Sequence, residues 1–297
     1  MVKKKKIHYI PYPTLCKLIR KGIVRVNGKR IKNSSLIFSG DIIKFSRFIK
    51  QPNKSEKKAT YNNKFSDFIR ELVLFKDNDL IVLNKPSGLA VQGGTNITLN
   101  VDLLLDSLKF NSTDRPRLVH RIDKETSGIL LIARNLDYSK YIGNLFKNRM
   151  IDKTYIALVR GTPRFKYGKV TLSINYDNKE LECLTYFKQI CSKDDISLLI
   201  VKPVTGRKHQ IRYHLKSIGI PILGDKKFRN SQKNNSHEKQ LFLHAYSVNF
   251  KTYTRENKEF IAPLPVHFSP FMEKFKIKNF SKEDLIFDNL EIFTLIE

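Results

Sequence analysis

Two stretches of this sequence gather side chains that could do chemistry. The first is VHRIDKETSGILLIAR, residues 119–134, where His120, Arg121, Asp123, Lys124 and Glu125 sit between an apolar approach and the unbroken apolar run 129–133. Burying both flanks leaves the charged turn exposed and puts Asp123 at a strand end, where functional carboxylates are commonly carried. If the approach is extended, Arg121 and Asp123 share one face. A solvated turn between two strands has the same composition, so the residues alone leave Asp123 open between a catalytic group and an ordinary turn residue.

The second stretch is VTGRKHQIRYHLKSIGIPILGD, residues 204–225. Ile211, Leu215 and Ile218 recur at helical spacing; Thr205 is placed to cap the start and Gly219 to end the helix. Arg207, His209, Gln210 and Arg212 then crowd the first turns, where an arginine beside a carboxylate would hold it ionised. His209 and His214 are five apart, the wrong spacing for one helical face, and no metal site is expected. Tyr155 opens a strand, as a core residue or as a platform for a base. The sequence has no phosphate-binding glycine loop and no Gly-x-Ser-x-Gly elbow, so no nucleotide cofactor is expected.

The elements that must position these groups read as a mixed α+β fold. LVLF and LIVLN, joined by Asp77-Asn78-Asp79, form a hairpin. RLVHRID, GILLIAR, TYIALVRG, KVTLSIN, LTYFKQI and SLLIVKP are strand-like, and 137–149 is helical. Strands and crossover helices do not alternate, so the sheet is expected to be mixed and largely antiparallel. The chain of 297 residues carries a formal net charge of +27, with 41% hydrophobic and 28% charged residues. Residues 1–60 hold a net +15 of this, which marks a basic module suited to nucleic acid on a more neutral body. In that module, Leu15, Leu18 and Ile19 predict a helix stopped at Gly22. IVRV and KRIK form a hairpin around Asn27-Gly28, and IIKF adds a strand. Three scattered cysteines fit reduced thiols, and no apolar run approaches the ~20 residues of a membrane span.

LIRKGIVRVNGKRIK and SGDIIKF resemble the small alpha-L RNA-binding module found in a ribosomal small-subunit protein and appended to several RNA-modifying enzymes. Only a dozen residues precede the match, leaving either a trimmed module or a start further upstream. In the body, VLNKPSGLAVQGG, LVHRIDKETSGILLIAR, KTYIALVRG, PVTGRKHQIRYHLKSIGIPILGD and LFLHAYSVNF resemble the RluA family of RNA pseudouridine synthases. The AVQGG ending and the basic module look most like its large-subunit ribosomal branch.

The resemblance implies the pseudouridine synthase fold and an isomerase that turns uridine into pseudouridine in ribosomal RNA. It implies neither a cofactor nor a metal. Asp123 would be the catalytic aspartate, Tyr155 the tyrosine that stacks on the target base, and Arg212 the arginine that pairs with the aspartate. Arg121 would enter the helix stack in place of the extruded base. His120, Arg207 and Gln210 are expected to contact the substrate, and Lys17, Arg20, Lys21, Arg25, Lys29 and Arg30 to bind RNA. The expected organisation is a basic module over 1–50, a linker over 51–64, a catalytic domain over 65–277 and a C-terminal extension over 278–297 that docks a helix. The partner is RNA, with no membrane association. A cytoplasmic monomer is expected, with an organelle of bacterial descent as the other location. Transfer RNA is the second candidate substrate, and a non-catalytic ribosome-assembly factor is the second candidate function.

Overall fold

The computed structural model describes residues 12–45, 65–94, 97–176, 179–228, 238–287 and 293–296. It divides into two compact units, residues 1–58 and 59–297. The stretch expected as a linker, 51–64, lies outside the described residues.

In the first unit, helix α1 (Tyr12–Arg20) leads into β1 (Val24–Val26), β2 (Lys29–Arg30) and β3 (Ile43–Phe45). Strand β1 pairs antiparallel with both others. Asn27 and Gly28 both take positive φ, 49° and 77°, the geometry of a tight hairpin turn and the reason for the Asn-Gly pair. Cys16, Val24 and Val26 form its buried interior. Arg20, Lys21, Arg25, Lys29 and Arg30 are exposed. Lys17 belongs to α1, and its side chain lies outside the described residues.

The second unit starts with helical residues 65–71 (α2) and the expected hairpin, β4 (Val73–Lys76) and β5 (Leu80–Lys85). The chain continues through α3 (Val101–Leu104), β6 (Arg117–Leu118), β7 (Ser127–Ala133), α4 (Leu136–Lys147) and β8 (Asp152–Arg160). Next come β9 (Tyr167–Val170), β10 (Ile174–Tyr176), β11 (Lys179–Leu181), β12 (Thr185–Lys193), β13 (Ile196–Pro203) and α5 (Gln210–Ser217). It closes with β14 (Leu243–Lys251), β15 (Asn257–Ile261), α6 (Ser269–Lys274), α7 (Lys282–Leu285) and β16 (Phe293–Ile296).

Eleven strands form one sheet with the central order β16-β9-β12-β13-β8-β14-β7-β5-β4. Among the described residues only β7 against β14 and β16 against β9 are parallel. The expected mixed, largely antiparallel α+β architecture is therefore borne out. Strands β5 and β7 carry the unbroken apolar runs 80–83 and 129–133 because both faces are covered there. Leu80, Val82, Ile129 and Leu131 pack with Tyr138, Ile142 and Leu145 of α4. The alternate residues Ile81, Leu83, Leu130 and Ile132 pack with Ile69, Val101 and Leu104 on the other face. No helix of the described residues is long and apolar enough to cross a membrane.

The β7–β14 junction joins the two halves of the sheet over only two paired positions, Ser127 with His244 and Gly128 with Ala245. Gly128 has φ +104°, and a Cβ there would lie 2.2 Å from the Ala245 carbonyl oxygen. Ser127 Oγ donates to His244 Nδ1 at 2.9 Å. Burial pushes the His244 ring down to about 4, so it stays neutral and can accept.

Three expectations change. RLVHRID is a strand only over Arg117–Leu118, because the His120 ring then takes the next ladder position, Nε2 accepting from Leu131 N at 2.8 Å. KVTLSIN divides: Tyr167–Val170 stays in the sheet, while Ile174–Tyr176 pairs with β11 as a separate ribbon. Among the described residues of the extension the helix is the four-residue α7, capped by Ser281 and Asp284, and residues 293–296 add β16 beside β9. An open sheet edge is met by backbone N–H and C=O groups, so an apolar composition does not by itself separate strand from helix.

Candidate active site

Asp123 lies in the irregular segment between β6 and β7, the backbone alternating so that Ile122 is buried while Arg121 and Asp123 face the open side. The segment is tied from below. Lys85, at the end of β5 and without exposed surface, donates through Nζ to the carbonyls of Pro86 and Leu89 at 2.8 Å and of Lys124 at 3.1 Å. Gly88 N also donates to Lys124 O, at 2.9 Å, and Ser87 Oγ to Glu125 O at 2.7 Å. The carbonyls of both residues that follow Asp123, Lys124 and Glu125, are thus held by the 85–89 turn. Burial pushes the Lys85 ammonium down to about 7, against the pull of Glu125 and Asp123. Lys85→Met would orphan the Pro86 and Leu89 carbonyls, each costing about 1–3 kcal/mol when buried without a partner, and leave Lys124 O with Gly88 N as its donor. Its denaturation midpoint is expected to fall clearly, with faster amide exchange at Gly88; an unchanged midpoint would show that the turn holds without its ammonium.

Tyr155 projects from β8, Arg212 from the first turn of α5, and Arg207 and His209 from the loop between β13 and α5. Together with Asp123 they line one cleft of about 470 Å³, a size suited to a single small ligand. Arg121, Lys147, Arg149 and Lys153 are on its walls as well, giving a basic bowl around one carboxylate.

Arg212 Nη1 stands 3.7 Å from Asp123 Oδ2, their side chains 7% and 18% exposed. His209 Nε2 stands 3.9 Å from Asp123 Oδ1. Lys227 Nζ donates to His209 Nδ1 at 3.2 Å, which leaves the Nε2 proton facing the carboxylate. Burial, with Arg212, Lys227 and Lys208 adding to it against Asp123, lowers the His209 pKa. Tyr155 is raised well above its ordinary value by burial and then by the Asp123 charge, so it is a neutral phenol able to donate. Burial opposes the charge of Arg212, but Asp225 and Asp123 more than restore it.

The helix does not begin as expected. Thr205 does not cap α5: its Oγ1 donates to Gln210 Oε1 at 2.7 Å and accepts from Leu184 N at 3.1 Å. The capping position is His209, with a left-handed backbone of φ 59°. The C-terminus follows the expected stop, with Gly219 at φ +83° and Ile220 N bonded to Leu215 O.

Of the residues expected to contact substrate, Arg121 and Arg207 are exposed on the cleft. His120 lines it too, but its ring stacks on Phe146 at 4.4 Å and its Nε2 is taken by Leu131. Burial pushes it down to about 3. Gln210 has no free group for a substrate: Oε1 accepts from Thr205 Oγ1 and Arg207 N, and Nε2 donates to Leu184 O and Thr185 Oγ1. It shapes the loop instead. His214 is buried, Nε2 within 2.7 Å of Leu172 O, away from His209. Among the described residues, no three His, Cys, Asp or Glu side chains gather as a metal set.

Two residues next to the site carry no local signal of their role. Lys85 falls in NKPSG, and of its three acceptors Lys124 O becomes adjacent only through the fold. Asp225 ends GIPILGD and forms a bidentate pair with Arg212, at 2.7 and 2.8 Å. Gly224 before it packs against the Gln240 backbone, where a Cβ would lie 1.7 Å from Gln240 O.

Residues 79–217 match the model of the RNA pseudouridylate synthase family. The chain is 36% identical to the ribosomal large subunit pseudouridine synthase C of Rickettsia conorii, over 85% of this chain and 89% of that one. It is 32% identical to the protein of the same name from Buchnera aphidicola subsp. Schizaphis graminum, over 91% and 90%. Among solved structures, the human RNA pseudouridylate synthase domain containing 4 superposes with a TM-score of 0.64 at 23% identity, covering 75% of this chain and 99% of that chain.

Proposed function

From the premise that this chain belongs to the RNA pseudouridylate synthase family, we propose that it isomerises uridines of large-subunit ribosomal RNA, with Asp123 as the catalytic group. The placement of Asp123 carries the reading: the carboxylate stands between Arg212 and His209 in a basic cleft that also holds Tyr155. The choice of RNA rests on the relatives, which are named for the large ribosomal subunit.

A uridine stacked in an RNA helix cannot reach this cleft, so the nucleotide is extruded, at a cost of about a few kcal/mol. Arg121, exposed on the cleft, fills the gap left in the stack. The cationic walls take the flanking phosphates. In the bowl, the Asp123 carboxylate acts on the sugar, and the bond from C1′ to N1 of uracil breaks. The ring turns, C5 bonds to C1′, the C5 proton leaves to solvent, and N1, freed from C1′, takes up a proton. The base is never lost and water does not attack, so a single carboxylate suffices where a glycosidase needs two. Tyr155, neutral and beside Asp123, stacks on the base and assists the departure of the C5 proton. The groups come from one chain, so a monomer is sufficient, working in the cytoplasm where ribosomes are built.

Residues 65–277 supply this chemistry, 278–297 an edge strand, and 1–50 an RNA-binding module. Arg20, Lys21, Arg25, Lys29 and Arg30 present exposed charge to phosphate, with Lys17 in the same helix. Phosphate contacts set affinity rather than sequence, and each one lost lowers the salt slope by roughly one. Deleting residues 1–50 is therefore expected to weaken RNA binding and flatten its salt dependence; an unchanged salt titration would remove that role.

The substrate is tested by tritium release from RNA labelled at C5 of uridine. Release from unmodified large-subunit ribosomal RNA and not from transfer RNA is expected. Release from transfer RNA alone would reassign the substrate, and binding of either RNA without release would favour an assembly factor.

A further inference from the structure

We propose that Asp225 is a positioning residue for the isomerisation, acting on Asp123 through Arg212. The inference rests on the catalytic reading of Asp123 given above and adds to it the group that sets the geometry of the ion pair.

A guanidinium is planar, so fixing two of its nitrogens fixes the third. Asp225 takes Nε at 2.7 Å and Nη2 at 2.8 Å, and only Nη1 remains for Asp123, at 3.7 Å. The Asp225 side chain has no exposed surface and is not among the residues lining the cleft, so it does not touch the substrate. It is itself held. Oδ1 accepts from Lys227 N at 2.9 Å and Phe228 N at 3.0 Å, and the Phe228 ring lies 5.3 Å from the Arg212 guanidinium carbon. Gly224, with φ +71° and backbone packed against Gln240, leaves this turn no slack. Burial opposes the Asp225 charge, and the Arg212 fork with the two backbone N–H groups outweighs it, so the carboxyl stays below the usual range.

The arginine thus reaches Asp123 with its charge largely compensated and its direction set. That combination suits a carboxylate that must stay ionised and aimed, yet remain free to act on the sugar. An unbraced arginine could swing onto Asp123 in a full fork and occupy both oxygens.

The test compares Asp225→Asn, Arg212→Lys and the double variant of the full chain. It measures single-turnover tritium release from unmodified large-subunit ribosomal RNA, together with RNA affinity. Asparagine keeps an oxygen for the Lys227 and Phe228 N–H groups but turns an amide donor toward Arg212, so the turn is retained and the ion pair is lost. Asp225→Asn is expected to slow release about 10- to 100-fold with affinity unchanged within about twofold. The double variant should be no slower than Arg212→Lys alone, as non-additivity requires for residues acting in series. A native rate in Asp225→Asn, a loss confined to affinity, or losses that multiply in the double variant would overturn the proposal. Should Asp225→Asn fail to fold, Arg212→Lys alone decides. It leaves the 225–228 turn intact and keeps the charge, but cannot serve both carboxylates, so a loss of at least about tenfold is expected and a native rate overturns the idea. Absence of release by the native protein would instead remove the functional premise, and this inference with it.

Discussion

Asp123→Asn is expected to lower the isomerisation rate by at least about 10³-fold while RNA affinity stays within about twofold. Asparagine has nearly the same shape and removes only the charge and nucleophilicity of the carboxylate, so the loss reads out the chemistry. The surrounding cations make binding insensitive to it: Arg121, Lys147, Arg149, Lys153, Arg207 and Arg212 remain in the cleft, and losing one negative charge among them cannot weaken attraction for phosphate. Single-turnover tritium release with parallel filter binding separates the two quantities. A variant that still releases tritium near the native rate would place the chemistry on another group.

The second large effect is on stability. Gly128→Ala should destabilise the protein by about 3–5 kcal/mol, the range of strain plus overpacking where backbone cannot yield. Its Cβ would fall 2.2 Å from the Ala245 carbonyl oxygen and 2.8 Å from Ala245 N, at a φ of +104°. The obstacle is backbone in the parallel junction that joins β7 to β14, so no side-chain rotation relieves it. Thermal unfolding should fall by roughly 10 °C, given about 2–4 °C per kcal/mol for a unit of this size. A drop below about 2 °C would mean that the junction can open without cost.

What could be read before folding, and what could not, follows the range of the interaction. The Asn27-Gly28 turn, the Asp77-Asn78-Asp79 hairpin and the stop at Gly219 are set by neighbouring residues, and the structure has each. The covered parts of β5 and β7, residues 80–83 and 129–133, are legible as unbroken apolar runs. Thr205 misled because its hydroxyl has a better partner in Gln210, whose side chain is anchored to Leu184 and Thr185 across the sheet. His120 does line the cleft, while its Nε2 also completes a ladder position by accepting from Leu131 N, a partner no local pattern announces. Asp225 and Lys85 matter through partners 13 and 39 positions away, which no periodicity encodes. The quoted motifs picked out Asp123, Tyr155 and Arg212 together by resemblance, whereas the spacing of residues alone left Asp123 undecided.

The measurement that bears most directly on the central claim is a nucleoside count. Unmodified large-subunit ribosomal RNA, tritiated at C5 of uridine, is incubated with the native chain and with Asp123→Asn, and each digest is analysed for pseudouridine. The native chain is expected to form pseudouridine with one tritium released for each residue formed, and Asp123→Asn to form none while still binding the RNA. Equal amounts of pseudouridine from the two proteins would contradict the assignment of Asp123, and none from either while both bind would contradict isomerisation of this RNA.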